Sequence, residues 1–342
     1  MTPEVTVLMS VYNGEKYLKE SIESILSQTF ENFEFIIIDD GSLDDSNNLI
    51  KRYKDPRIRL IENRKNIGLT KSLNIGIKEA KGKYIARQDA DDQSLPRRLE
   101  IQLTFMKNNP EIGISGTWVK YLINGKHLIR KTDLNHNKIK SWLLFEPIIN
   151  HPTFIIRRLY INNNHDFYDE NFIFSQDYEL LCKRSQDFKL ANIGKVLVYC
   201  NIHDKQISKA NKKEQDKLAD KIRLNQLIKL GINPSSREID IHKSISLRRY
   251  STKWEFILLT KTWLIKLIEK NRSYQSYPEP EFSNIIAQKW YEIYFINILK
   301  HPIVFKKLNE LPGISIFRLT IKDKIIIFIK LILNKFNSGI LF

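Results

Sequence analysis

The sequence predicts an α/β fold, a mainly parallel sheet flanked by helices, with a mostly α-helical C-terminal extension. Three observations predict it. Short apolar runs alternate with segments of helical periodicity from residue 5 to residue 92. Two of those runs stop abruptly at aspartate clusters, Asp39-Asp40 and Asp89-Ala-Asp-Asp92. Beyond residue 208 the strand-like runs give way to charged helical stretches. A parallel strand pair needs a crossover, and a helix that covers the sheet supplies it.

The elements follow in order. Val5-Thr-Val-Leu-Met-Ser-Val11 is short, apolar and rich in β-branched residues, the pattern of a buried strand. Tyr17, Leu18, Ile22, Ile25 and Leu26 recur at helical spacing. Phe33 to Ile38 reads as a second strand, Ser46 to Tyr53 as a helix, and Ile58 to Ile61 as a third strand. Leu69 to Ala80 is helical again, with Lys81-Gly82 as its stop signal. Lys83 to Ala86 is a fourth strand that runs into Asp89. Later helices are expected over residues 212–231, from about 253 to 269 and near 283–300, with a break at Tyr277-Pro-Glu-Pro280.

At 342 residues, 42% hydrophobic and 27% charged, the chain has the composition of a folded protein and can bury a large core. Its two cysteines, Cys182 and Cys200, have no paired spacing, which speaks against a disulfide scaffold or a cysteine-built metal site. The N-terminus reads as a first strand and not as a signal peptide. The net charge of +16 is uneven. Residues 1–208 hold 30 basic against 27 acidic side chains, whereas residues 209–342 hold 25 against 12. Such a basic C-terminal part attracts anionic partners, unless it is simply a well-solvated lysine-rich surface. No G-x-G-x-x-G or P-loop pattern is present.

Ligands of open α/β sheets lie beyond the carboxyl ends of the strands, where both aspartate clusters fall. Three carboxylates within Asp89-Ala-Asp-Asp92 repel one another unless a cation or strong donors hold them. Mg²⁺ or Mn²⁺ suits such a group, taking one or two carboxylates and completing its shell with water and phosphate oxygens. A solvated turn capped by Asp92 or Ser94 is the alternative.

Ser10-Val-Tyr-Asn-Gly14, Ser24 to Phe30, Asp39-Asp-Gly-Ser42, Asn66-Ile-Gly-Leu69, Gly82 to Ile85 and Asp89 to Asp92 with Pro96-x-Arg-Leu99 occur in that order. His151-Pro-Thr153, Gln176-Asp-Tyr-Glu-Leu-Leu181 and Ile202-His-Asp-x-Gln-Ile-Ser208 follow. Together they resemble the family 2 glycosyltransferases, inverting enzymes of the GT-A fold, and the later motifs resemble bacterial members that build surface polysaccharides. The resemblance covers about residues 3–208, which sets a catalytic domain at 1–208 and a basic helical region at 209–342. It implies that Ser10, Tyr12 and Glu15 line the nucleotide end of the pocket and that Asp40 accepts from the uracil N3–H. It implies a ribose contact for Asp89, a metal contact for Asp91, and a less defined place for Asp92. Asp177 takes the position of the base that deprotonates the acceptor, with N-capping of its helix as the alternative. His203 takes that of a histidine serving the diphosphate and the metal. His151 belongs with acceptor-site architecture. The chain departs from the family at Asn201, where an arginine is usual, so that a phosphate contact falls to another residue such as Arg87 or Lys205.

The implied function is transfer of a hexosyl or N-acetylhexosaminyl group from a UDP-sugar to a glycan or lipid-linked acceptor, with Mn²⁺ or Mg²⁺. Metal and His203 would neutralise the leaving diphosphate while Asp177 takes the acceptor proton. Two other readings carry different signatures. A sugar-1-phosphate nucleotidyltransferase needs a glycine-rich N-terminal loop that Ser10 to Gly14 does not supply. A non-catalytic membrane- or nucleic-acid-binding protein would leave the ordered acidic motifs without a role, and no nucleic acid partner is expected. The location implied is the cytoplasm, peripheral to the inner face of the membrane. At the C-terminus, Ile325 to Ile329 and Leu331 to Leu333 lie among Arg318, Lys322, Lys324, Lys330 and Lys335, too short to span a bilayer. They suit a helix lying on an anionic membrane surface, or else a core helix or a homo-oligomer contact.

Overall fold

The computed structural model describes residues 2–123, 126–161, 166–203, 206, 211–298 and 325. The chain divides into two compact units, one of residues 1–139 with 147–219, the other of 140–146 with the chain from 220 onward. The sequence reading set its division at residue 208. The structural division falls at 219/220, inside one continuous helix.

The first unit is built on strands β1 (Val5–Val11), β2 (Phe33–Asp39), β3 (Ile58–Glu62) and β4 (Tyr84–Asp89), joined by helices α1 (Glu15–Leu26), α2 (Ser46–Arg52) and α3 (Leu69–Glu79). All three pairings in the order β3-β2-β1-β4 are parallel. Every residue of β1 is buried, because helices cover both faces of such a strand. On one face Val5, Val7, Met9 and Val11 pack with Leu18, Ile22 and Ile25 of α1 and with Phe33, Phe35 and Ile37 of β2. The mainly parallel α/β arrangement is therefore as the alternating pattern predicts.

One detail differs. Helix α3 ends at Glu79 with Ala80 in extended backbone, before Lys81-Gly82. Gly82 answers a packing demand instead: a Cβ there would stand 2.4 Å from the backbone nitrogen of Thr6 and 2.6 Å from the Val5 carbonyl carbon. Only glycine lets the start of β4 approach β1 this closely.

Beyond β4 the sheet continues through strands that carried no clear periodic signal. These are β5 (Gln93–Ser94), β6 (Ile112–Ile123), β7 (Lys126–Arg130), β8 (Ile155–Arg157) and β9 (Lys189–Asn201), with helix α4 (Arg98–Asn108) between β5 and β6. The order runs β4-β8-β6-β9-β5, and β7 pairs with β6. Strand β8 is antiparallel to β4 and to β6, while β6 and β9 run parallel over a long, bulged register. Helix α5 (His136–Trp142) follows β7, and α6 (Gln176–Arg184) precedes β9.

The second unit is helical, as expected. Its elements are the later part of α7 (Lys212–Lys229), then α8 (Ser236–Ser246), α9 (Trp254–Tyr274) and α10 (Glu281–Ile298). The end of α5 and residues 143–146 belong to it, and Trp142, Leu143, Leu144 and Phe145 are buried. Trp263, Leu264, Leu267, Phe282, Ile286 and Trp290 supply much of the remaining core. No helix among the described residues is long and apolar enough to cross a membrane. The basic apolar segment expected at a membrane surface lies outside the described residues except for Ile325.

Candidate active site

Strands β1, β2 and β4 finish level with one another, and their register pairs Ser10 with Asp89 and Val11 with Asp39. The parallel arrangement thus delivers Ser10, the Asp39-Asp40 turn and Asp89 to one end of the sheet, the end at which such folds bind ligands.

The turn after β2 is tied on both sides. Asp39 accepts from the Ser42 backbone (3.1 Å) and from Asn47 on α2 (2.7 Å), so it shapes the Gly41-Ser42 turn. Asp40 is 2% exposed and fixes a more distant loop. Its Oδ1 accepts from Asn63 Nδ2 (2.9 Å) and the Ile67 amide (3.0 Å), and its Oδ2 accepts from the Gly68 amide (2.9 Å). A carboxylate offers about four acceptor positions, so about one on Asp40 is left for a ligand donor. Gly41, at φ +72°, lies so close to the Lys65-Asn66 backbone that a Cβ would stand 2.5 Å from it. The loop after β1 is braced against the same turn. Glu15 Oε2 accepts from the Asp45 amide (2.9 Å), the Gly14 amide donates to Ser46 (2.9 Å), and the Asn13 side chain accepts from Leu43 (2.8 Å). Glu15 therefore positions the loop through one of its oxygens, while Tyr12 beside it is 45% exposed.

Asp89, Asp91 and Asp92 each present an oxygen within 4.8 Å of the others. Their surroundings differ. Asp89 Oδ1 is bound by Nη2 of Arg87, a buried guanidinium whose Nε has no partner among the described residues. Asp91 Oδ2 accepts from His203 Nε2 (2.9 Å), whose ring stacks on Tyr17 at 4.6 Å. Asp92 is 3% exposed and points toward β9, where it accepts from the Asn201 amide (3.1 Å) and from the Cys200 thiol. Burial first, and then the charge of Asp89, pushes the Asp91 carboxyl above the usual carboxylate range, with His203 opposing. The same two causes push Asp92 well above it. This crowding of hard oxygen donors fits a divalent cation, which would relieve the repulsion. Within the group, Asp92 is also tied to β9 through the Asn201 amide.

Asp177 lies in the first turn of α6, two residues after the N-cap Ser175, whose φ of 57° is left-handed. The cap position is thus Ser175, and Asp177 accepts from the adjoining Tyr178 amide (2.9 Å) and from its own backbone amide. Burial raises its proton affinity, its backbone hydrogen bonds at the helix start oppose this, and the charges of Asp89 and Arg130 act more weakly in opposite directions. A half-buried carboxylate with a raised pKa suits proton abstraction. His151 Nε2 is 2.9 Å from the Tyr168 hydroxyl, and Asn74 on α3 clamps the Tyr168 backbone at both N–H and C=O. Burial, and secondarily Arg87, holds His151 well below its ordinary pKa, hence neutral.

Several site residues carried no reading of their own in the sequence. Arg98 is fully buried beneath the triad, donating to Gln88, Ser94, Gln102 and the Arg87 carbonyl. Burial lowers its pKa to about 10, and the charge of Asp92 pulls the other way. Its only signal was its place in Pro96-x-Arg98-Leu99. Tyr17 entered the sequence reading only as one position of a helical pattern, and Tyr168 carried no signal. Lys205, one candidate for a phosphate contact, lies outside the described residues. Arg87, the other, is engaged with the Gln88 carbonyl and Asp89.

The profile of glycosyl transferase family 2 matches residues 6–179. An uncharacterised glycosyltransferase of Haemophilus influenzae is 33% identical over 257 residues, covering 72% of this chain and 79% of the relative. The O-antigen biosynthesis glycosyltransferase WbnJ of Escherichia coli is 32% identical over 216 residues, covering 60% of this chain and 82% of WbnJ. Among solved structures, S. aureus TarS 1–349 in complex with UDP-GlcNAc superposes with a TM-score of 0.54 at 18% identity, over 89% of this chain and 91% of that one. The mannosyltransferase PcManGT of Pyrobaculum calidifontis, in complex with GDP-Man and Mn²⁺, gives 0.53 at 14% identity, over 99% and 88%. At such identities the two structures speak to the fold, which they share. The profile match over half the chain, the H. influenzae relative and the ordered motifs agree: the chain belongs to glycosyl transferase family 2.

Proposed function

We propose that the enzyme inverts configuration while moving a hexosyl or N-acetylhexosaminyl group from a UDP-sugar to a saccharide or lipid-linked acceptor in surface-polysaccharide assembly. The observation that carries this reading is the pairing of two unlike acidic environments in one unit. An acidic triad suits a diphosphate-bound cation, and the carboxylate Asp177, its pKa raised by burial, is held among the described residues by its own helix turn. The similarity to WbnJ, named for O-antigen biosynthesis, supports the pathway.

In this reading Ser10, Tyr12, Glu15 and Asp40 form the nucleoside end of the site, with the last acceptor position of Asp40 reading the base. Asp89 contacts the ribose, and Asp91 with His203 faces the diphosphate. Mn²⁺ or Mg²⁺ held there would supply charge neutralisation of the leaving group. Asp177 removes the proton of the attacking hydroxyl, and its raised pKa brings it nearer the working pH. Arg87, bound to Asp89, and Arg98, buried beneath the triad, supply fixed positive charge behind it. The catalytic domain is the first unit, working in the cytoplasm at the inner membrane face.

Release of UDP from a panel of UDP-sugars, with Mn²⁺, Mg²⁺ or chelator, tests the reading. Metal-dependent UDP release supports it. Turnover of nucleoside triphosphate with sugar-1-phosphate, or preference for a GDP-sugar, would overturn the donor assignment.

A further inference from the structure

The outer face of the β7-β6-β9 segment has a composition that catalysis does not explain. Side chains alternate across these strands, and Val119, Tyr121, Val198 and Cys200 pack inward. Trp118, Lys120 and Leu122 of β6 therefore look outward. The register sets Ile129 and Tyr199 on either side of Lys120, and His127 beside Leu122. A sheet face open to water usually carries polar residues. Here Leu122 is 43% exposed, Ile129 46% and Tyr199 36%, with Leu134 just past β7 at 44%. Gly194 adjoins both Leu134 and Trp118, which joins the two ends of the patch.

The polar groups among these apolar ones share one sign. Lys120 Nζ sits 4.9 Å over the Tyr199 ring, and Lys131 Nζ sits 5.3 Å over Trp118. Lys195 is exposed on β9. No aspartate or glutamate occurs in residues 112–131 or 189–203. The first carboxylate beyond β7, Asp133, is paired with Lys138 at 3.2 Å. The lysine stems cover the aromatic rings while the ammonium groups stand at the surface.

We propose that this face docks the enzyme on an anionic lipid surface. Exposed aliphatic and aromatic side chains ringed by lysines match a headgroup layer, which takes up the apolar groups and pairs with the cations. A second copy of the chain joined through the same face would set lysine against lysine. A soluble acidic polymer would answer the lysines and leave Leu122, Ile129 and Leu134 in water. None of its residues belongs to the basic stretch of residues 318–335, and the proposal stands whatever acceptor the enzyme uses.

Sedimentation of the full chain with vesicles of phosphatidylcholine, alone or mixed with phosphatidylglycerol, tests it. Wild type is expected to pellet with the mixed vesicles and to be released by salt. Lys120→Glu/Lys131→Glu/Lys195→Glu should lower partitioning by more than about a hundredfold, the loss of three lysines alone counting about fivefold each. Leu122→Ser/Ile129→Ser should lower it about tenfold. UDP release in free solution should stay at the wild-type level in both, which shows them folded. Where the reversals unfold, the Lys→Gln set replaces them. Wild type pelleting no better with anionic than with neutral vesicles overturns the proposal. So does a charge variant that pellets like wild type, because attachment then lies elsewhere. A serine variant with undiminished binding, displaced by soluble polyphosphate, would instead assign the face to an acidic polymer.

Discussion

The two units treat buried charge in opposite ways. At the strand ends of the first unit, acids crowd together: Asp89, Asp91 and Asp92 share a space of a few ångströms, and burial and mutual repulsion raise the proton affinity of the latter two. In the second unit, acids and bases are matched. Glu146 meets Arg248 at 2.7 Å and Lys289 at 3.2 Å, Glu292 lies 3.7 Å from Arg248, and Tyr250 closes the set by donating to Glu292 at 2.7 Å. Lys289 is fully buried over the rings of Trp142 and Phe145. Burial works against the charge of Arg248, yet Glu146 and Glu292 outweigh it and raise its pKa. A completed network of this kind specifies one packing, whereas the crowded acids repel one another, a repulsion that a bound cation would relieve. Substitutions in the two places should therefore fail in different ways: the first in activity, the second in stability.

The largest effect is expected at the triad. Asp91→Asn should bring transfer to background and remove the response to Mn²⁺ or Mg²⁺, while the thermal midpoint stays the same or rises because a repulsive charge is gone. Metal titrations of UDP release and a melting curve measure both. A variant that lost stability instead would place Asp91 in a structural network like that of Glu146, and the contrast would collapse. Asp177→Asn comes next. A positioned base contributes about 10²–10⁴-fold, so turnover should fall within that range while UDP affinity by calorimetry holds. A parallel loss of UDP binding would make Asp177 a support of α6 rather than the base.

Much of this contrast was legible in the sequence on one side only. The parallel strands stand out because burial on both faces demands continuous apolar runs such as Phe33 to Ile38, and the aspartates end those runs conspicuously. The β6 and β9 strands do not, because bulges near Trp118 break their period and Gly113, Gly116 and Gly194 dilute it. Gly82 could be seen as a breaker, but its real constraint, the approach to Thr6, is a tertiary contact that no local pattern encodes. Arg98 shows the same limit at the site. An arginine in an exposed-looking Pro-Arg-Arg run gave no sign that it would be wholly buried beneath Asp92. The second unit's network joins Glu146 to Lys289 across 143 positions, which lies beyond any periodicity.

Stability predictions sharpen the other half of the comparison. Glu146→Ala leaves the fully buried Lys289 and the partly buried Arg248 short of a partner and should destabilise the fold by about 3–5 kcal/mol, read by urea unfolding. His242 gives a pH signature. It accepts from Trp263 Nε1 at Nδ1 (3.2 Å) and donates from Nε2 to the Leu144 carbonyl (3.0 Å), so it is neutral, and burial lowers its pKa from 6.5 to about 3. The unfolded chain binds this proton at a higher pH than the native one does. Its stabilising contribution is therefore complete above about pH 6.5 and falls by about 1.4 kcal/mol per pH unit as the pH drops toward 3. His242→Gln should flatten that part of the profile at some loss in stability. An unchanged acid slope would assign the loss to the carboxylates.

The smallest effect is expected where the second unit is most local. Helix α8 begins with a capping box in which the Glu238 amide donates to the Ser235 hydroxyl (3.3 Å) and the Ser235 amide donates to Glu238 Oε2 (2.9 Å). Four N–H groups at a helix start lack intrahelical partners, and this exchange satisfies one of them together with the cap residue's own amide. Ser235→Ala removes the side-chain acceptor and should cost about 1 kcal/mol. Glu238 also meets Lys266 of α9 at 2.6 Å, so Glu238→Gln keeps the cap geometry while weakening the link to the neighbouring helix. Chemical denaturation of the two variants should therefore separate local capping from tertiary ion pairing. If Ser235→Ala proved as damaging as Glu146→Ala, the second unit would owe its order to helix ends rather than to its buried charges, and the contrast with the active site would have to be drawn elsewhere.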